Sequence, residues 1–192
     1  MNTNENVTTG ALLNRAAVTG LVLGAVSMAY MFAVQYLPQL ISSAIAVSAI
    51  TMVLWIAKFA GCIMILREAM LRTADSYDGI TRRHTLRLGV FAAMFSALIF
   101  SAASLANVLY INPGEIDEAF DMVIREYSKT FDSNTLAAID GVRESLPTVT
   151  FFSNLIYCFL YGTIVSSILS RYIPKVDPFA GFHDNGTDIE EQ

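Results

Sequence analysis

Four long apolar runs dominate this chain and leave few ways to fold it. From Ala16 to Tyr36 no residue is charged, and a helix over that run covers about 30 Å, the thickness of a bilayer's hydrocarbon core. Similar runs occupy 41–66, 88–111 and 149–172, interrupted only by Lys58 and, near the last end, Arg171. With 54% hydrophobic residues, the chain is too apolar for an ordinary soluble domain. In lipid the backbone must satisfy its own polar groups, which helices do within one segment. The expected fold is therefore all-α: a four-transmembrane-helix bundle, with one or two amphipathic helices in the outer segment between spans three and four.

Charge sets the expected topology. Arg67, Arg72, Arg82, Arg83 and Arg87 crowd the link between the second and third runs, and Arg15, Arg171 and Lys175 flank the others. Only Arg125, Lys129 and Arg143 lie in the segment 112–147. The excess of positive charge predicts that the arginine-rich link is cytoplasmic and that both termini share its side. On this reading 1–15 is a cytoplasmic tail, 16–175 the membrane domain and 176–192 a mobile acidic cytoplasmic tail. Ser27-Met28-Ala29 resembles a signal-peptide cleavage site, but the apolar run continues past it, so an uncleaved anchor is expected. Within the link, Glu68 and Arg72 have helical-pair spacing, Asp78-Gly79 signals a turn, and Thr81 is placed to cap the third helix.

The apolar runs hold the candidate site residues. Ala16, Gly20 and Gly24 recur every four residues, as do Gly162, Ser166 and Ser170; such rows of small side chains let helices approach closely. Lys58 is the one formal charge within an apolar core, so it is either a transport or polar site or a side chain that snorkels toward the cytoplasmic headgroups. Asn154, Tyr157, Cys158 and Tyr161 share one face of the fourth helix and are expected to turn inward. Arg82, Arg83 and Arg87 could meet anionic lipid headgroups, although setting topology is a sufficient role for them. Cys62 and Cys158 are expected at different depths, as buried thiols without a disulfide. Asn107, near an outer helix end, is expected at the interface. His84 and His183 stand alone, so no metal site is expected, and no cofactor motif is present.

Pro38 follows the first run closely and is expected in a tight outer turn. Beyond the third run, Asn112-Pro113-Gly114-Glu115 reads as a helix start. Ile116, Phe120, Val123, Ile124, Tyr127 and Phe131 then form an apolar stripe, and acidic residues occupy the opposite side. A weaker pattern through Leu136, Ile139, Val142 and Leu146, capped at Asp132 or Ser133, predicts a second amphipathic helix separate from the fourth span.

Taken together, the glycine-rich first span, DGITRRHTLRLGVF, YINPGEIDEAFDMVIREY and the closing VDPF resemble a bacterial family of four-span membrane proteins of unknown function, over most of residues 15–180. The resemblance implies a bacterial inner-membrane protein and transfers no reaction or ligand. With no catalytic cluster in the apolar runs, the expected role is non-enzymatic, through helix packing and contacts with lipid, a second copy or another membrane protein. The rival is a small-solute or ion transporter using Lys58 and the polar face of span four. No feature points to nucleic acid.

Overall fold

The computed structural model describes residues 8–77, 80–127 and 131–173; the Asp78-Gly79 turn, Lys129, Lys175, VDPF and both tails lie outside them. The described residues form helices α1 (Thr9–Leu40), α2 (Ala44–Ser76), α3 (Arg82–Ala106), α4 (Glu115–Tyr127) and α5 (Ser133–Leu169), with no strand among them. The helices α1, α2, α3 with its continuation to Ile111, and α5 are each long and apolar enough to cross a membrane. The chain is thus a multi-pass, all-α membrane protein.

The helices overrun the apolar runs because capping residues, rather than hydropathy, set their ends. Thr8 caps α1, its hydroxyl accepting from Ala11 N–H at 3.3 Å. Pro38 lies inside the last turn of α1, not in the turn beyond it. Its missing N–H removes one bond of that turn, and the helix closes three residues later with Ile41 N–H on the Leu37 carbonyl at 3.1 Å. The turn is then Ile41–Ser43, and Ser43 caps α2 through Ala46 N–H at 3.4 Å. At the start of α3, the Thr81 N–H donates to His84 Nδ1 at 3.3 Å, a capping box with histidine in the usual Glu position. The predicted Glu68–Arg72 pair forms at 2.8 Å on the α2 surface.

The core is built around α3, which packs along α1 on one side and α5 on the other. Its two faces are lined with small residues. Ala92, Phe95, Ser96 and Ile99 receive Gly20 and Gly24 of α1, whereas Gly89 and Ala93 receive Ser166 and Gly162 of α5. α2 packs chiefly on α1 and touches α3 and α5 little. Its buried residues, Leu66, Met70 and Thr73, all fall in its second half, where Leu66 and Met70 join Leu12, Ala16, Leu88 and Ile173 in one core cluster. This is the arginine end of the bundle. Toward the other end Ile45, Met52 and Val53 are exposed, as suits helix surface solvated by lipid.

Three expectations fail at the opposite end. Asn107 is buried at 7% exposure, not at the interface. Here α3 widens into a π-helical turn, Asn107–Ile111, and the Asn112 amide closes on Asn107 Oδ1 at 3.4 Å. Asn112 is thereby used to end α3, so α4 starts only at Glu115. The second amphipathic helix and the fourth span are likewise not separate. They form the single 37-residue α5, about 55 Å long and therefore longer than the hydrocarbon core is thick. Pro147 lies inside α5, where it removes one backbone bond without ending the helix.

Helix α4 lies against the projecting start of α5. Arg143 bridges them, meeting Asp117 at 2.7 Å and Asp121 at 3.4 Å. Ile116, Phe120, Ile124 and Phe131 of the apolar stripe are partly covered; Val123 and Tyr127 remain exposed. Asp132 caps α5 through Thr135 N–H at 2.8 Å. Hydrogen bonds from Thr135 hold its carboxyl below the usual range, so this cap contributes while the carboxylate is ionised and fades as pH falls.

Candidate functional site

The limited contact between α2 and α5 leaves a groove floored by α1 and α3. A cavity of about 60 Å³ lies in it, walled by Phe59, Cys62 and Leu66 of α2 and by Tyr157, Cys158, Tyr161 and Val165 of α5, with Leu23, Ser27, Ala93 and Ser96 beneath. That volume holds a few waters or part of an apolar chain. The two helices meet through an edge-to-face contact of Phe59 with Tyr161, centroids 4.8 Å apart, and Trp55 extends the row by packing on Phe59 at 4.5 Å.

Lys58 stands at the edge of this cavity. Its ammonium faces the rings of Tyr30 at 4.9 Å, Phe100 at 5.2 Å and Phe59 at 5.5 Å. A cation over aromatic faces gains roughly 0.5–2 kcal/mol per ring, so the cage offsets part of the cost of placing charge among apolar helices. The side chain crosses toward α1 and α3; it does not run down α2 to the arginine end. Lys58 is nine residues from Arg67, about 13 Å along the helix. Among the described residues no hydrogen bond or ion pair reaches the ammonium, which leaves its three N–H donors available.

The other sequence candidates divide by location. Tyr157 and Tyr161 line the cavity with Lys58, but Asn154 does not: its amide donates to Ser104 Oγ at 3.0 Å and ties α5 to α3. Gly20, Gly24 and Gly162 sit at helix crossings, each too close to α3 for a Cβ. Arg82, Arg83 and Arg87 are exposed at the arginine end. The two cysteines are free and, contrary to the expected difference in depth, line the same cavity. α2 and α5 both run toward the arginine end, and their parallel course brings positions 62 and 158 to one level, a register that neither apolar run contains by itself.

Two contacts carry little sequence signal. The Tyr30 and Phe100 rings of the cage look like ordinary span aromatics. Arg15 reads only as a membrane-edge charge, yet its guanidinium donates to the Arg72 carbonyl at 3.3 Å, Ser76 Oγ at 3.2 Å and Thr73 Oγ1 at 3.5 Å. It also lies 5.0 Å from the centre of the Tyr77 ring, and so clamps α1 to α2.

Residues 18–171 match the model of a family described as "Protein of unknown function (DUF4199)". The chain belongs to the DUF4199 family. The match runs from α1 through the end of α5, so the groove of this DUF4199 chain, with Lys58 and both cysteines, falls inside the family region. Comparison with curated proteins and with solved structures gives no match. Among the described residues of the DUF4199 chain, no group of three or more His, Cys, Asp and Glu is placed to hold a metal ion.

Proposed function

We infer that this chain is a non-enzymatic membrane protein that works by binding lipid, with the groove between α2 and α5 as its principal site. The observation that carries the reading is Lys58, a cation caged by rings in a mostly apolar groove in which no carboxylate among the described residues neutralises it. Such a charge is costly unless something pairs with it. Transport through Lys58, Tyr157 and Tyr161 is the rival, and their shared cavity favours it in part. A proton or ion pathway, however, ordinarily uses a chain of ionisable partners, and the cavity lining offers Lys58 no Asp, Glu or His among the described residues. Reconstituted protein is expected to carry no proton, monovalent-cation or small-anion flux above protein-free liposomes. A parent flux that disappears in folded Lys58→Leu protein would establish transport instead.

The arginine end fits a cytoplasmic, anionic leaflet of a bacterial inner membrane, with Arg82, Arg83 and Arg87 available to headgroups. The lipid-facing surface of α2 is also available to a second copy or another membrane protein. In a variant without native cysteines, a cysteine at Met122 should react with an impermeant maleimide in intact cells, and one at Ser76 only after permeabilisation. The reverse pattern overturns the orientation.

A further inference from the structure

We propose that the groove takes a single-chain amphiphile with a carboxylate head, a long-chain fatty acid in chemical class, its head on Lys58 and its tail along the α2–α5 walls. This rests on the lipid-binding reading above and names the ligand. The charge argument is direct: the ammonium has ring partners on several sides and unused N–H donors, and a carboxylate supplies the opposite charge with two acceptor oxygens. Depth selects among anions. Lys58 lies about 13 Å along α2 from Arg67, the nearest arginine of that end, well inside the hydrocarbon. A phosphodiester remains ionised and is held at the interface by its hydration. A carboxylic acid instead reaches this depth in its protonated form. Pairing with the ammonium then favours ionisation, with the proton released to the aqueous phase.

The walls select the tail. From Lys58 toward the arginine end the cavity continues past Cys62 and Ile63 to Leu66 on α2, and past Cys158 to Val165 on α5. That is eight residues of α2, about 12 Å of wall with no charged side chain. One alkyl chain suits a groove this narrow. The floor of Ala93 and Ser96 is small enough to admit it. Acetate would satisfy the head alone and leave the walls without an occupant.

The two native thiols report occupancy, because the chain has two cysteines and both line the cavity. Full-length protein in phosphatidylcholine nanodiscs is treated with N-ethylmaleimide, and modification at each thiol is followed by mass spectrometry. Oleic acid is expected to slow both modifications, and Lys58→Met to raise the oleate concentration for half-protection roughly tenfold or more, as loss of a desolvated charge pair requires. Lys58→Arg should keep most of the protection. Oleyl alcohol, with the same chain and no charge, and acetate, with the charge and no chain, should not protect. Equal protection by oleyl alcohol, protection by acetate, stronger protection by phosphatidylglycerol, or no shift in Lys58→Met overturns the proposal. If oleate fails while the reconstituted parent still carries no flux, the carboxylate is wrong and the lipid-binding reading stands. A Lys58-dependent flux measured without added fatty acid removes that reading itself.

Discussion

Gly20→Leu is expected to force α1 away from α3 and to lower the thermal midpoint of the purified protein sharply. A Cβ at this position would stand 2.6 Å from the Phe95 Cβ and 2.8 Å from the Ala92 carbonyl oxygen. Neither atom belongs to the far end of a flexible side chain, so the helices themselves must move. Overpacking by even a methyl or two costs about 1–3 kcal/mol, and Leu adds more. Gly162→Leu should behave similarly, since its Cβ would meet the Ala93 Cβ at 2.5 Å. Gly24→Leu should cost less, because its Cβ meets the Ile99 side chain at 2.8 Å, part of which can rotate. Gly61 has nothing within 4 Å of its Cβ position, so Gly61→Leu is the control. Equal midpoints for Gly20→Leu and Gly61→Leu, measured by thermal unfolding in detergent, would contradict the α1–α3 packing.

The second large effect is expected at Arg15. Arg15→Met removes the donor that reaches the Arg72 carbonyl and the Ser76 and Thr73 hydroxyls, and with it the cation over Tyr77. A hydrogen bond to a charged group contributes about 1.5–3 kcal/mol, and the low end applies because solvent reaches this cluster. The loss should concentrate at one place. Hydrogen exchange should rise at the arginine end of α2 and remain unchanged in α3. Arg15→Lys should restore part of the loss, because all three bonds come from the one nitrogen Nη1 and an ammonium also carries three N–H donors, whereas the planar guanidinium over Tyr77 is lost. Exchange that is unaltered in α2 would show that Leu66 and Met70 hold the α1–α2 hairpin without the clamp.

The contrast between these sites shows what a sequence can reveal in a membrane chain. The four spans were legible because lipid demands long uncharged helices, and Thr81 and Asp132 were legible as caps because their chemistry is local. The continuity of α5 was not. Pro147 and a weakening apolar pattern suggest a break, but a proline inside a long helix loses one bond and the helix persists. Asn112 misleads for a related reason: as a cap it can serve the helix before it or the helix after it, and the π-helical turn decides.

The candidate site was legible in part. Lys58 is conspicuous as a charge in an apolar run, and Tyr157 and Tyr161 as polar groups on one helical face. Their meeting depends on α2 and α5 lying parallel to each other across α3, which also places Cys62 beside the α5 wall. The row Gly89, Ala93, Ala97 and Ser101 along α3 carries a readable small-residue signal for the α5 crossing. Arg15 and the Tyr30 and Phe100 rings carry no comparable signal, because their roles exist only after the helices have packed.

The central claim is that α2 and α5 face each other across one groove over α3, and the native cysteines test it without a mutation. A short bifunctional maleimide applied to the full chain in nanodiscs should link Cys62 to Cys158 within a single molecule, seen as one joined peptide pair by mass spectrometry. Independent single modification of both thiols, or linkage only between molecules, would contradict the groove.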